Sequence, residues 1–330
     1  MDSTITIGIT CYNEGDWLLE CWESVLAQTD DLWEAVLVMD GTEHQRTREI
    51  FEQLDHPKLR KFAFEENVGP FVVRNKAFEM TRTPYHFYLD GDDQLLPDTV
   101  AVVLAAFEEH PDAASVNGDM VFFGEREGVF VTPAQYTAEI LVDHHYGVAG
   151  AHRKDAWEAV GGFADEPILS RGISDYDFLI GLVERGLRIV HCGKPFYRYR
   201  IRFEGSVSTS DHATRHLMYH AIVARHPEFF RERGRRRRFL LRGYQRCCPA
   251  LKKVDPGVAS AVAFYGIRKG IWGSRMLWYL AFKGILPGWL FVPGRACYRM
   301  GLKVFGSLHR PDAKAQSAAA ATEESQPSSP

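Results

Sequence analysis

Short apolar runs and stretches of helical period take turns along the first part of the chain. Residues 4–11 are a brief run rich in Ile and Thr, which predicts a buried strand. Tyr12-Asn13-Glu14-Gly15 breaks that run, and Trp17, Leu18, Cys21, Val25 and Leu26 then recur at helical spacing. Residues 35–39 predict a second strand, ending at Asp40-Gly41, and 44–54 a second helix. A strand over 59–64, a helix over 70–81 and a strand over 85–89, ending at Asp90, continue the alternation. Beyond it the pattern predicts a helix over 98–109, a strand over 114–123, irregular chain over 124–150 and a short helix over 155–160. Gly161-Gly162 stops that helix. Residues 175–185 carry Phe178, Leu179, Leu182 and Val183 on one helical face, with Gly186 as the stop. A strand over 187–191 and a helix over 211–231 follow.

Strands alternating with helices predict an α/β fold with a mostly parallel central sheet flanked by helices. Ligands of such sheets bind beyond the carboxyl ends of the strands. The polar residues there are Asn13, Glu14, Asp40, Asn67, Asp90 and Asp92. No Gly-x-Gly-x-x-Gly follows the first strand and no phosphate-cradling Gly-rich loop with Lys occurs. Phosphate must then be neutralised differently. In Asp90-Gly91-Asp92-Asp93, two carboxylates flank a glycine at a strand end and can bend toward one Mn²⁺ or Mg²⁺, ions that share substrate phosphates. A solvated acidic turn would read the same way locally. Asp175 and Asp177 open a helix, where acids cap and complement the dipole; a general base for an acceptor hydroxyl is the functional alternative. His191, at a strand end, is a minor candidate. His144-His145 is the one adjacent histidine pair, and no Gly-x-Ser-x-Gly elbow appears.

Composition narrows this further. The chain has 330 residues, 45% hydrophobic and 25% charged, enough to bury a core without disulfides. A net charge of −4 argues against a general nucleic-acid binder. The six cysteines have no C-x-x-C pair, so free thiols in a reducing compartment are expected. The N-terminus lacks the features of a signal peptide, which makes the cytoplasm the expected location. From about residue 232 the character changes. Arg231, Arg233, Arg235 to Arg238, Arg242 and Arg246 form a cationic stretch, and 258–306 mix aromatic residues with Arg, Lys and Gly. Lys283, Gly284 and Pro287 interrupt the most apolar part, Met276 to Val292, whereas a spanning helix wants ~20 apolar residues. An interfacial segment on the inner face of an anionic membrane fits better; a basic helical subdomain is the alternative. The Ala/Ser/Pro/Glu-rich end predicts disorder.

Thr10-Cys11-Tyr12-Asn13-Glu14, Met39-Asp40-Gly41-Thr42, Asn67-Val68-Gly69, Arg74-Asn75 and Leu89-Asp90-Gly91-Asp92-Asp93 occur in order, followed by Gly161-Gly162-Phe163 and Asp175-Tyr176-Asp177. Together they resemble the inverting family 2 glycosyltransferases of GT-A fold, over about residues 4–205. The resemblance implies a Rossmann-like catalytic domain over 1–215; the residue pattern beyond it, which the resemblance does not explain, predicts a basic, aromatic-rich helical extension over 216–310 and a disordered tail over 311–330. It implies that Thr10, Tyr12, Glu14 and Asp40 meet the donor's base and ribose, and that Asn67 and Arg74 line the nucleotide pocket. Asp90 would face ribose or metal, and Asp92 would ligate Mn²⁺ or Mg²⁺ on the diphosphate. Asp175 would be the catalytic base, with Gly162, Phe163 and Asp177 on the acceptor side. Arg198 or Arg200, in Tyr197-Arg198-Tyr199-Arg200, would pair with phosphate, and Gly205-Ser206-Val207-Ser208 resembles a segment closing over it. Two departures stand out: Ser174 replaces a common acidic neighbour of the base, and Met39 a common first Asp. The implied partners are a nucleotide-sugar donor, UDP-sugar favoured, and a saccharide or lipid-linked acceptor in surface polysaccharide or glycolipid assembly. A nucleotidyltransferase is disfavoured by the acidic segment after the first strand. A non-catalytic sugar-nucleotide scaffold is disfavoured by Asp92 and Asp175.

Overall fold

Each apolar run becomes a strand in the computed structural model, which describes residues 3–143, 150–170, 172–202, 215–251, 256–271 and 275–283. The elements are β1 (Ile5–Cys11), α1 (Trp17–Leu26), β2 (Trp33–Met39), α2 (Gln45–Gln53), β3 (Leu59–Ala63), α3 (Pro70–Glu79) and β4 (Tyr85–Asp90). Then come β5 (Gln94–Leu95), α4 (Thr99–Glu109), β6 (Ala113–Gly124), β7 (Gly128–Phe130), α5 (Ala138–Asp143), β8 (Gly150–Arg153), α6 (Lys154–Val160), α7 (Ser174–Glu184) and β9 (Arg188–Ile201). Helices α8 (Arg215–Arg225), α9 (Arg233–Leu251), α10 (Pro256–Arg268) and α11 (Arg275–Lys283) complete the described chain. His144-His145, Gly205 to Ser208 and the tail over 311–330 lie outside the described residues.

One sheet takes the order β3-β2-β1-β4-β8-β6-β9-β5, with β7 added to β6. Strands β1 to β4 pair in parallel, and β6 pairs in parallel with β9. Because β8 is antiparallel to both β4 and β6, those two run the same way. The sheet is therefore mostly parallel, as predicted. Side chains alternate faces along each strand. On β2, Trp33, Ala35, Leu37 and Met39 join the large core with α1, α2 and α4, whereas Val36 and Val38 pack against Val73 and Ala77 of α3. Helices thus cover both faces, as a sheet buried on both sides requires. The seam between β4 and β8 is also buried: His86 faces His152 in register and its ring stacks on Phe78 at 3.7 Å.

The structure departs from the sequence pattern in three places. Strand β9 does not end near 191 but runs on to Ile201, because register shifts against β6 absorb the break around Gly193 and Pro195. The stretch over 124–150 contains β7 and α5. The helix expected over 211–231 stops at Arg225; Pro227, lacking an N–H, disfavours helical backbone at the residue before it.

Contacts divide the chain into two units. The first comprises Met1–Asp211 with Leu217–Phe239, so most of α8 and the start of α9 belong with the sheet. The second comprises His212–His216 with Leu240–Pro330. Within it, Ala259, Ala263 and Ile267 of α10 and Leu277, Trp278 and Leu280 of α11 are buried. The Ser260 hydroxyl donates to the Ala281 carbonyl at 2.6 Å. No described helix is long and apolar enough to cross a membrane.

Candidate active site

Parallel pairing aligns the carboxyl ends of three neighbouring strands. Thr10 of β1 stands level with Val38 of β2 and Asp90 of β4, and Cys11 with Met39. The chain leaving each end is polar, so β1 delivers Tyr12 and Glu14, β2 delivers Asp40, and β4 delivers Asp90, Asp92 and Asp93 to one rim.

Asp40 is buried and held by neutral donors. Its carboxylate accepts N–H bonds from Val68 at 2.7 Å and Gly69 at 3.2 Å, and the Asn67 amide at 3.0 Å. Burial raises its pKa and the backbone donors pull the other way. Gly41 makes this turn feasible: φ is +51°, and a Cβ there would lie 2.1 Å from the Glu66 carbonyl carbon. Glu14 turns back to accept the backbone N–H of Tyr12, while the Tyr12 ring is exposed. Burial, and then the charges of Asp92 and Asp90, push the Glu14 carboxyl up to about 7. This side of the rim is a polar shelf with an open aromatic ring.

Asp90 is neutralised by Arg74. Arg74 Nη2 lies 3.2 and 3.1 Å from the two Asp90 oxygens, and the Thr10 hydroxyl donates to Oδ1 at 3.1 Å. The guanidinium lies over Tyr88 at 4.1 Å and Phe71 at 4.8 Å. Burial works against its charge, yet Asp90, Tyr88 and Asp175 carry its pKa above the ordinary arginine value. Arg74 therefore links the rim to Asp175 electrostatically. Its buried Nε has no hydrogen-bond partner among the described residues.

The next residue, Asn75, reaches the other way. Its amide donates to the Phe163 carbonyl at 2.8 Å and accepts from the Phe163 N–H at 2.9 Å and Trp157 Nε1 at 3.2 Å. Gly162 has φ of +74°, and a Cβ there would meet the Asn75 oxygen at 2.9 Å. Phe163 is buried against Phe178 of α7, with ring centroids 4.7 Å apart. Ser174 Oγ donates to the Ala164 carbonyl at 2.6 Å. The serine replacing an acidic residue is thus a clasp on the loop leading to Asp175. Asp175 opens α7 and accepts the Tyr176 N–H at 2.8 Å. Asp177 is only 2% exposed; Arg225 Nε at 3.1 Å and His226 Nε2 at 3.0 Å take up its carboxylate. The structure does not bring Asp177 together with Asp175 and Arg74, but makes it an anchor between α7 and α8. His191 is likewise taken up by Asp119, at 3.0 Å.

Strand β9 closes the far side. Asp93, 1% exposed, accepts the Arg200 N–H at 2.7 Å and the Tyr197 hydroxyl. Arg200 Nε donates to the Asp92 carbonyl at 2.7 Å while its other end pairs with Glu20. Arg198 reaches Gln94. Arg202, which the sequence reading passed over, pairs with the Asp92 carboxylate at 2.8 Å. The signal was present: Arg198, Arg200 and Arg202 share a two-residue period and hence one sheet face. Burial, then the charge of Asp90, pushes the Asp92 carboxyl up to about 6. Among the described residues no three His, Cys, Asp or Glu side chains gather into a metal cage. The donor set, Asp92 with Asp90 beside it, instead suits a hard divalent cation that keeps waters and shares substrate phosphates.

A doubly wound sheet with carboxylates gathered at three adjacent strand ends defines a GT-A-like fold. Residues 6–153 match the family model described as glycosyl transferase family 2. The chain is similar to chondroitin synthase of Escherichia coli, 28% identical over 192 residues that cover 55% of this chain and 27% of that protein. It is also similar to teichoic acid poly(glycerol phosphate) polymerase of Staphylococcus epidermidis, 32% identical over 105 residues, 31% of this chain and 15% of that protein. The chain spans less than a third of the length of either relative. In fold it matches S. aureus TarS in complex with UDP-GlcNAc, with a TM-score of 0.65, 16% identity and 93% of each chain covered.

Proposed function

We propose that the chain transfers a sugar, with inversion, from a UDP-sugar to a hydroxyl acceptor in the assembly of a surface polysaccharide or glycolipid. The observation that carries this reading is the convergence around Arg74, which pairs with Asp90 at the rim and feels Asp175 across the site. Tyr12, Glu14, Asp40 and Asn67 form the side that receives base and ribose. Asp92, with Asp90, would hold Mn²⁺ or Mg²⁺, which supplies charge neutralisation to the departing diphosphate. Asp175 takes the proton of the acceptor hydroxyl as that oxygen attacks the anomeric carbon. The Asn75 and Ser174 clasps hold its loop in place. The UDP preference is supported by the fold match to TarS bound to UDP-GlcNAc, and the polymer acceptor by the names of the two relatives. The exposed Arg233, Arg236, Arg237 and Arg238 would draw the protein to an anionic membrane face, where a lipid-linked acceptor is presented.

A thermal-shift panel of UDP, GDP, CDP and dTDP, each with and without Mn²⁺, tests this, since a ligand that binds only the folded state raises the melting temperature. UDP should stabilise in a Mn²⁺-dependent way, and Asp92→Ala should remove the metal dependence. No stabilisation by any of the four at millimolar concentration would overturn the reading.

A further inference from the structure

Two arginines balance the carboxylates of the rim, and they are held differently. Arg74 is wedged between Tyr88 and Phe71, and its side chain is 12% exposed. Arg202 lies over a single ring, Trp17, at 5.3 Å, and is 26% exposed. Its Nη2 rests 2.8 Å from Asp92 Oδ2.

The approach of Arg202 is fixed from behind. Asp93 binds the Arg200 N–H and the Tyr197 hydroxyl, and Arg200 Nε binds the Asp92 carbonyl. A buried carboxylate ordinarily has a cationic partner. Hydrogen bonds to Asp93 come only from neutral groups among the described residues. Its burial costs stability, and what it secures is a fixed register between the Asp90–Asp93 loop and the strand bearing the arginines. That register sets Arg202 on Asp92.

We propose that Arg202 is a positioning residue that occupies the cation's place on Asp92 in the ligand-free protein and is exchanged for the divalent cation on binding. The inference rests on the reading of Asp92 as a cation ligand. A guanidinium 2.8 Å from Asp92 Oδ2 sets a positive charge beside the place a divalent ion would take on that carboxylate, and the two cations repel each other. Binding is therefore competitive, and the cation's apparent affinity falls in proportion to the population of the Arg202–Asp92 pair. Arg74 stays on Asp90 throughout. The cation alone binds weakly. Nucleotide and cation bind cooperatively, because the diphosphate offers the released guanidinium another anion.

The test is Mn²⁺ alone, without nucleotide, titrated into the full chain and followed by the EPR signal of free Mn²⁺. Arg202→Gln should tighten Mn²⁺ binding about tenfold or more. Arg202→Lys, which keeps the charge but not the fork, should fall between it and the wild type and guards against misfolding of the first variant. Lys194→Ala removes a cation from β9, the strand that leads into Arg202, one paired with Asp98 rather than Asp92, and should leave the affinity within about twofold. Equal Mn²⁺ affinity in Arg202→Gln and wild type would overturn the exchange, and so would equal tightening in Lys194→Ala. Failure of the underlying reading looks different: Asp92→Asn then binds Mn²⁺ as wild type does, or no form binds it.

Discussion

The two sides of the rim hold their carboxylates by opposite means. On the β2 side, Asp40 is satisfied by two backbone N–H groups and one side-chain amide, all neutral and all from the segment around Asn67. On the β4 side, Asp90 and Asp92 are held by guanidinium groups, Arg74 and Arg202. Neutral amides fixed in a turn form a shelf that a ligand finds ready-made. Of the two guanidinium partners, the less enclosed Arg202 can be traded for another cation, while Arg74 is held between two rings. Ligand binding is then expected to leave the side proposed for base and ribose as it is and to rearrange charge on the side proposed for the diphosphate.

If that contrast is right, removing a partner should cost most where the partner is charged. Arg74→Ala takes the guanidinium from the part-buried Asp90 and removes the contacts over Tyr88 and Phe71, and is expected to lower stability by about 2–3 kcal/mol in urea unfolding. A cost below ~1 kcal/mol would erase the contrast. Next comes the strand beneath the Asp90 side. His86 of β4 is fully buried, and burial, with the nearby charges of His152 and Lys154, drives its pKa well below the ordinary value of 6.5. The unfolded chain then binds the extra proton, so the stability His86 contributes is present above pH 6.5 and lost as pH falls. The slope approaches ~1.4 kcal/mol per pH unit. Comparing the pH dependence of unfolding in His86→Gln and wild type should show this slope only in the latter. The smallest effect should come from Asp40→Asn, at about 1 kcal/mol, because its amide oxygen still accepts the Val68 and Gly69 N–H groups. A loss as large as that of Arg74→Ala would show that the Asp40 charge, not its acceptor geometry, holds the shelf.

The contrast also explains what could be seen in the sequence. Strands β1 to β4 and their polar ends were legible because each apolar run is followed at once by polar candidate residues, from Cys11 to Glu14 and from Leu89 to Asp93. The partner of Asp40 lies only 27 residues away, after one β-α-β unit. The other half depends on remote pairings. Asp93 meets Arg200 across 107 residues, and Asn75 meets Phe163 across 88. No local pattern announces such contacts. Gly193 and Pro195 carry the local pattern of a strand end although β9 continues to Ile201, and nothing local sets Arg202 apart from Arg198 and Arg200. The resemblance motif Asp175-Tyr176-Asp177 implied an acceptor-side place for Asp177, but on a helix a spacing of two separates the side chains by about half a turn. It faces Arg225 and His226 instead.

The measurement closest to the central claim is Asp175→Asn, assayed in parallel for UDP affinity with Mn²⁺ and for UDP release from UDP-sugars in the presence of saccharide acceptors. The account predicts unchanged affinity and a loss of turnover of about 10²–10⁴-fold, as expected for removal of a general base. Turnover within a fewfold of wild type would contradict the assignment of Asp175 as the base.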